Sequence, residues 1–142
     1  MKIVPDTNVL VSGLLSPFGA PAQIDRMIAS GALQVCFDAR LISEYEQVLK
    51  RPKFSFDPHN VDAFLDQIVA FGILVSAKPL SENLTDRDDE PFLEVAIAGQ
   101  ADFLVTGNTK HFPPKRRYGI SVVTPNDFIT EYRNRFKSLA ST

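Results

Sequence analysis

The sequence predicts an α/β fold built on a mainly parallel sheet with helices on both faces, and three observations predict it. Short runs of strand length alternate with longer runs of helical periodicity along all 142 residues. The short runs, such as Ile3-Val4 and Phe103-Leu104-Val105, are apolar almost throughout, as strands buried on both faces are. No Gly-rich linker, internal repeat or low-complexity segment divides the chain, so one domain over 1–142 is expected. Strands that alternate with helices pair in parallel, because each helix returns the chain to the same edge of the sheet.

The elements follow in order. Lys2 to Pro5 is short and apolar and ends at Asp6, a first buried strand. Asn8 to Leu15 suits a short helix. After the break Ser16-Pro17-Phe18-Gly19, Pro21 suits the first turn of another, with Ile24, Met27 and Ile28 at helical spacing and a stop at Gly31. Leu33 to Phe37 is a second strand. Asp38 caps a helix to about Lys50, with Leu41, Ile42, Tyr45, Val48 and Leu49 on one face, and Arg51-Pro52 ends it. Lys53 to His59 is a loop. Val61, Phe64, Leu65 and Ile68 define a helix over Asn60 to Phe71, closed by Gly72. Ile73 to Ser76 is a strand, Lys78 to Arg87 an irregular stretch, and Asp88 to Gln100 a helix with Pro91 in its first turn. Ala101 to Thr106 and Ile120 to Val123 are strands, and Pro125 starts the last helix.

Composition narrows the chemistry. Cys36 is the only cysteine, so neither an internal disulfide nor a cysteine zinc cage can form. The apolar runs are too short to span a membrane, and the start, Met1 to Asp6, lacks a signal-peptide core; a cytoplasmic protein is expected. A net charge of −2 is not the footprint of a surface that grips nucleic acid everywhere. Local basic patches remain: Lys110, His111, Lys115, Arg116 and Arg117 form one, and Arg133, Arg135 and Lys137 another. Each also reads as a solvated face.

In an open parallel sheet, ligands bind beyond the carboxyl ends of the strands. Asp6 directly follows the first strand. Glu44 lies in the second turn of the helix after the second strand. Asp88 and Asp89 open the helix before the Ala101 strand, and Asn108 follows that strand after Thr106-Gly107. Clustered carboxylates repel unless a cation or protons compensate. An oxygen-only set suits Mg²⁺ or Mn²⁺, which share coordination with phosphate and support metal-assisted phosphodiester hydrolysis. Asp6, Glu44, Asp88 or Asp89, and Asn108 are the candidates for such a site. Asn8, Asp88 and Thr106 form a secondary set. Plain structural roles stand beside these: Asp6, Asn8, Asp88 or Asp89 as helix caps, Glu44 as an exposed helix residue, Asn108 as a turn residue.

Taken together, four segments resemble the PIN-domain family. Val4-Pro5-Asp6-Thr7-Asn8-Val9-Leu10 is similar to its opening, and Ser43-Glu44-Tyr45 with Val48-Leu49 to its second acidic segment. Asp86-Arg87-Asp88-Asp89-Glu90-Pro91-Phe92-Leu93 is similar to the third, with Asp89 matching the metal-binding Asp. Val105-Thr106-Gly107-Asn108-Thr109-Lys110-His111-Phe112 is similar to the fourth. Arg51-Pro52-Lys53-Phe54 extends the similarity toward a bacterial branch of toxin components of toxin–antitoxin systems. The resemblance covers the chain to about Phe128. It implies a three-layer α/β/α sandwich, a Mg²⁺- or Mn²⁺-dependent ribonuclease with Asp6, Glu44 and Asp89 as metal ligands and Asn108 as a further catalytic candidate, an RNA substrate, a homodimer or larger homo-oligomer, and a cognate antitoxin. Many active members carry Asp where this chain has Asn108, which supplies a neutral oxygen and a donor but no charge.

Two rivals belong to other classes. Asp6 as a phosphorylated nucleophile resembles haloacid-dehalogenase-like phosphatases, but Asp6-Thr7-Asn8 lacks their second Asp. A binding module for RNA or a protein partner, with a weakened metal site, is the alternative that Asn108 favours. A zinc hydrolase is disfavoured, because His59 and His111 are the only histidines and are far apart in sequence.

Overall fold

The computed structural model describes residues 1–140, with side chains through residue 136. Five strands, β1 (Lys2–Pro5), β2 (Gln34–Phe37), β3 (Ile73–Leu74), β4 (Phe103–Val105) and β5 (Val122–Val123), form one sheet in the order β3-β2-β1-β4-β5. Every pairing is parallel. In the centre, Ile3 lies opposite Val35 on one side and Phe103 on the other. Six helices connect and cover the strands: α1 (Thr7–Leu15), α2 (Ala20–Ala29), α3 (Ala39–Leu49), α4 (Pro58–Phe71), α5 (Glu90–Gly99) and α6 (Pro125–Ala140). The result is a three-layer α/β/α sandwich. Right-handed crossovers put α1 to α4 on one face and α5, which packs across β1, β2 and β4, on the other.

Local chemistry sets the boundaries. Asp38 caps α3 as expected, its carboxylate accepting from the N–H of Arg40 and Leu41. Asp57 caps α4 by accepting from His59 N–H, with Pro58 in the first turn, so α4 begins two residues before the expected Asn60. Part of the expected Lys53–His59 loop is a 3-10 turn, Pro52–Phe54. The edge strands β3 and β5 are shorter than expected, with two residues each. The expected helix from Asp88 opens as a 3-10 turn over Arg87–Asp89, and α5 proper starts at Glu90.

The core fills both interfaces between helices and sheet. Ile3, Val4, Leu10, Ile24, Cys36, Leu93, Val95 and Leu104 are essentially inaccessible to solvent. Pro5 ends the central strand β1, opposite Val105 of β4 and just before Asp6.

Candidate metal and nucleic-acid site

The chain leaves β1 toward β2 and β3 on one side, and β4 and β5 lie on the other. The strand order therefore reverses between β1 and β4, the point at which parallel α/β sheets form a crevice beyond the strands' carboxyl ends. Asp6 stands at that reversal. Its backbone N–H donates to Val105 O at 2.8 Å, extending the β1–β4 pairing by one residue. The Thr106 hydroxyl, fully buried at the end of β4, donates to Asp6 Oδ2 at 3.0 Å. Asp6 occupies the N-cap position of α1 without a side-chain capping hydrogen bond. Burial raises its pKa; the Thr106 hydroxyl, the N–H groups of Thr7 and Asn8, and His111 pull it back.

Glu44 reaches the same edge from α3. Its Oε2 accepts from the Thr7 hydroxyl, one residue past Asp6. The neighbouring Tyr45 is fully buried, and its hydroxyl donates to Pro5 O at 2.6 Å. Two consecutive residues of α3 thus hook it onto the end of β1 and the start of α1. Glu44 is half-buried and turned toward α1, not into open solvent.

Asp89 arrives from the 3-10 turn before α5. Its Oδ2 is buried without an aligned hydrogen bond. The Nδ1 of His111 stands 3.0 Å from that oxygen, close but off the line a good hydrogen bond needs. The Asp89 pKa is pushed up to about 6 by burial, opposed by His111 and reinforced by the charges of Asp86 and Asp6. Among the described residues, no three His, Cys, Asp or Glu side chains stand close enough together to hold one ion.

The remaining candidates divide. Asn108 touches both sides of the crevice: its backbone N–H donates to Thr106 Oγ1 at 3.1 Å, and its Nδ2 donates to His111 Nε2 at 2.8 Å. Asn8 and Asp88 are exposed; Asp88 lends only its N–H, to Asp86 Oδ1 at 2.9 Å. In the basic patch, Arg116 is tied to Asn83 O at 2.6 Å and to Glu82, and Arg117 to Phe112 O at 2.7 Å. Lys110 and Lys115 remain exposed beside the crevice loop. Arg135 lies over the Phe103 ring, 5.1 Å away at the amino end of β4, so this second patch lies toward the opposite edge of the sheet. Arg133 is exposed on α6, and the Lys137 side chain lies outside the described residues.

Some contacts had little warning in the sequence. Arg40 bridges Asp38 and Glu94, the latter across 54 positions at 2.8 Å. Glu90 accepts from Leu84 N–H at 2.8 Å and so orders the segment before Asp89. The Thr7 partnership with Glu44 was foreshadowed only by its place next to Asp6. A cavity of about 350 Å³, lined in part by Lys78, Leu80, Glu94 and Tyr118, shares none of Asp6, Glu44, Asp89 and Asn108.

The donor set suits a hard divalent cation: carboxylates, a hydroxyl and an amide, with a buried carboxylate oxygen that lacks a partner. No described helix is long and apolar enough to cross a membrane. An uncharacterized protein of Methanocaldococcus jannaschii, MJ1680, is 25% identical over an alignment 142 positions long, which covers 93% of this chain and 92% of the relative. The sequence profile of the PIN domain matches residues 2–110, which include Asp6, Glu44, Asp89 and Asn108. With its five-stranded parallel sheet and more than half its length matched, the chain belongs to the PIN-domain family.

Proposed function

We propose that this protein, a single domain over 1–142, is a Mg²⁺- or Mn²⁺-dependent ribonuclease. PIN domains are generally nucleases that act on nucleic acid and bind divalent metal. The observation that carries the reading is the pair Asp6 and Asp89. Both are carboxylates with raised pKa values, facing one crevice at the strand-order reversal, and one buried oxygen of Asp89 has no aligned partner. Such a pair is costly in isolation and favourable around a cation.

In this reading Asp6 and Asp89 hold the cation, Glu44 completes the set, and Asn108 contacts water or phosphate. The bound cation supplies positive charge against the scissile phosphate and lowers the pKa of water. The chain's own groups do the rest. Thr106 fixes the Asp6 carboxylate by donating to Oδ2, and Thr7 fixes Glu44. Lys110 and Lys115 hold the phosphate backbone of RNA beside the crevice, with His111 at its rim. A toxin role, a cognate antitoxin, a homodimer or larger homo-oligomer and a cytoplasmic location extend this reading through the family resemblance.

A second reading, a module that binds RNA or a protein partner without cutting, draws on the absence of a tight three-carboxylate cluster among the described residues. Cleavage of single-stranded RNA in a Mn²⁺ titration separates the two. Wild type should cut. Asp6→Asn and Asp89→Asn should each lose more than the roughly 10–100-fold that changes outside the first ligand shell cost. Equal rates for wild type and Asp6→Asn at every metal level would end the nuclease reading.

A further inference from the structure

We infer that Asn108 and His111 act as one positioning unit that sets Asp89 against Asp6, and that Asn108 serves there as a hydrogen-bond donor and not as a metal ligand. The inference rests on the reading of Asp89 as a cation ligand.

Asn108 is the hub of a row of close polar contacts. On one side its backbone N–H donates to Thr106 Oγ1 at 3.1 Å, and the Thr106 hydroxyl donates to Asp6 Oδ2 at 3.0 Å. On the other side its Nδ2 meets His111 Nε2 at 2.8 Å, and His111 Nδ1 lies 3.0 Å from Asp89 Oδ2. An amide N–H can only donate, so in this contact Nε2 accepts, which leaves Nδ1, the nitrogen that faces Asp89, to carry the ring N–H. Donor and acceptor roles then agree from Asp6 to the ring, and the last step is a 3.0 Å approach of Nδ1 to Asp89 Oδ2 that is not aligned as a hydrogen bond in the metal-free protein. An aspartate at 108 has no N–H to offer Nε2, which gives a chemical reason for Asn at this position.

The turn that carries the pair is anchored. His111 N–H donates to Asn108 O at 3.2 Å, closing a 3-10 turn, and the next residue, Phe112, is completely buried. Arg117 donates to Phe112 O at 2.7 Å and so braces the turn from outside. Exposed as it is, with 46% of its side chain accessible, His111 is held by its partners more than by packing.

The test is a double-mutant cycle on Mn²⁺ affinity, measured by calorimetry, with the ring's proton position read by nitrogen–proton correlation NMR. His111→Ala and Asn108→Ala should each weaken Mn²⁺ binding about 10-fold, the scale of groups that orient a ligand. The double variant should be no worse than either single variant, because the two act in series. His111→Gln restores a donor and an acceptor and should recover much of the loss. In metal-free wild type the neutral ring should be protonated at Nδ1. Additive losses, wild-type affinity in His111→Ala, no recovery in His111→Gln, or a ring protonated at Nε2 would each overturn the inference. A wild type that binds no Mn²⁺ overturns it together with the metal-site reading. Absence of RNA cleavage, with the cycle and the ring state as expected, removes the nuclease reading alone.

Discussion

Asp25 in α2 is a buried acid outside the crevice. It is 4% exposed, neither carboxylate oxygen has a hydrogen-bond partner, and burial pushes its pKa up to about 9 despite the nearby charge of Arg26. It fits because Gly13 of α1 leaves room: a Cβ there would stand 2.2 Å from Asp25 Oδ2. The carboxyl is therefore neutral in the folded protein at pH 7 and ionised once unfolded, where its ordinary value is near 3.8. The folded state binds the extra proton, so this group's share of stability is fully present below that lower value and is lost as pH rises toward about 9. At about 1.4 kcal/mol per pH unit, the loss by pH 7 is on the order of 4 kcal/mol. Asp25→Asn keeps the shape and cannot ionise. Urea unfolding at about pH 5 and about pH 8.5 should show wild type losing stability relative to Asp25→Asn. Identical pH dependence would mean that Asp25 is solvated in the folded state.

Between elements, the tightest approach on the α5 face is at Gly99. A Cβ there would stand 2.6 Å from Cys36 Sγ and 3.0 Å from Cys36 Cβ, on strand β2 beside the central strand. Alanine is better than glycine in a helix by about 1 kcal/mol, but Gly99 is the last residue of α5, and forcing atoms into a packed core costs about 1–3 kcal/mol. Packing should win: Gly99→Ala is expected to be destabilising in chemical denaturation, and a stabilised variant would show that α5 can slide on the sheet. Such close approaches also explain what was legible in the sequence. The helix faces and central strands were readable because burial imposes periodicity, as with Val61, Phe64, Leu65 and Ile68 in α4. The edges were not. β3 pairs only Ile73 and Leu74, and nothing in Ile73 to Ser76 marks where pairing stops. The start of α4 was missed because Asp57-Pro58 reads as loop until its cap is seen.

For the whole molecule, the parallel order brings residues a hundred positions apart to one crevice. Strand exits made Asp6, Glu44, Asp89 and Asn108 nameable from the sequence as candidates. Their partners were not nameable, because contacts such as Thr106 with Asp6 or Arg40 with Glu94 depend on topology and carry no local pattern. On the proposed reading, the same convergence should make the fold sensitive to metal. Asp6 and Asp89 raise each other's cost in the metal-free protein, and the unfolded chain holds them far apart. A cation that binds only the folded crevice adds stability by mass action, about 2.7 kcal/mol at a concentration 100-fold above Kd. At roughly 3 °C per kcal/mol for a domain of this size, Mn²⁺ should raise Tm by about 8 °C. Protons compete for Asp89, whose folded pKa is about 6. The Mn²⁺-induced rise should therefore be full above that value and shrink as pH falls through it, since a protonated carboxyl is a poor ligand. Asp6→Asn should lose most of the rise at every pH. Thermal melts of both proteins, with and without Mn²⁺ across this range, decide the matter. An equal rise in wild type and Asp6→Asn would place the metal elsewhere on the molecule.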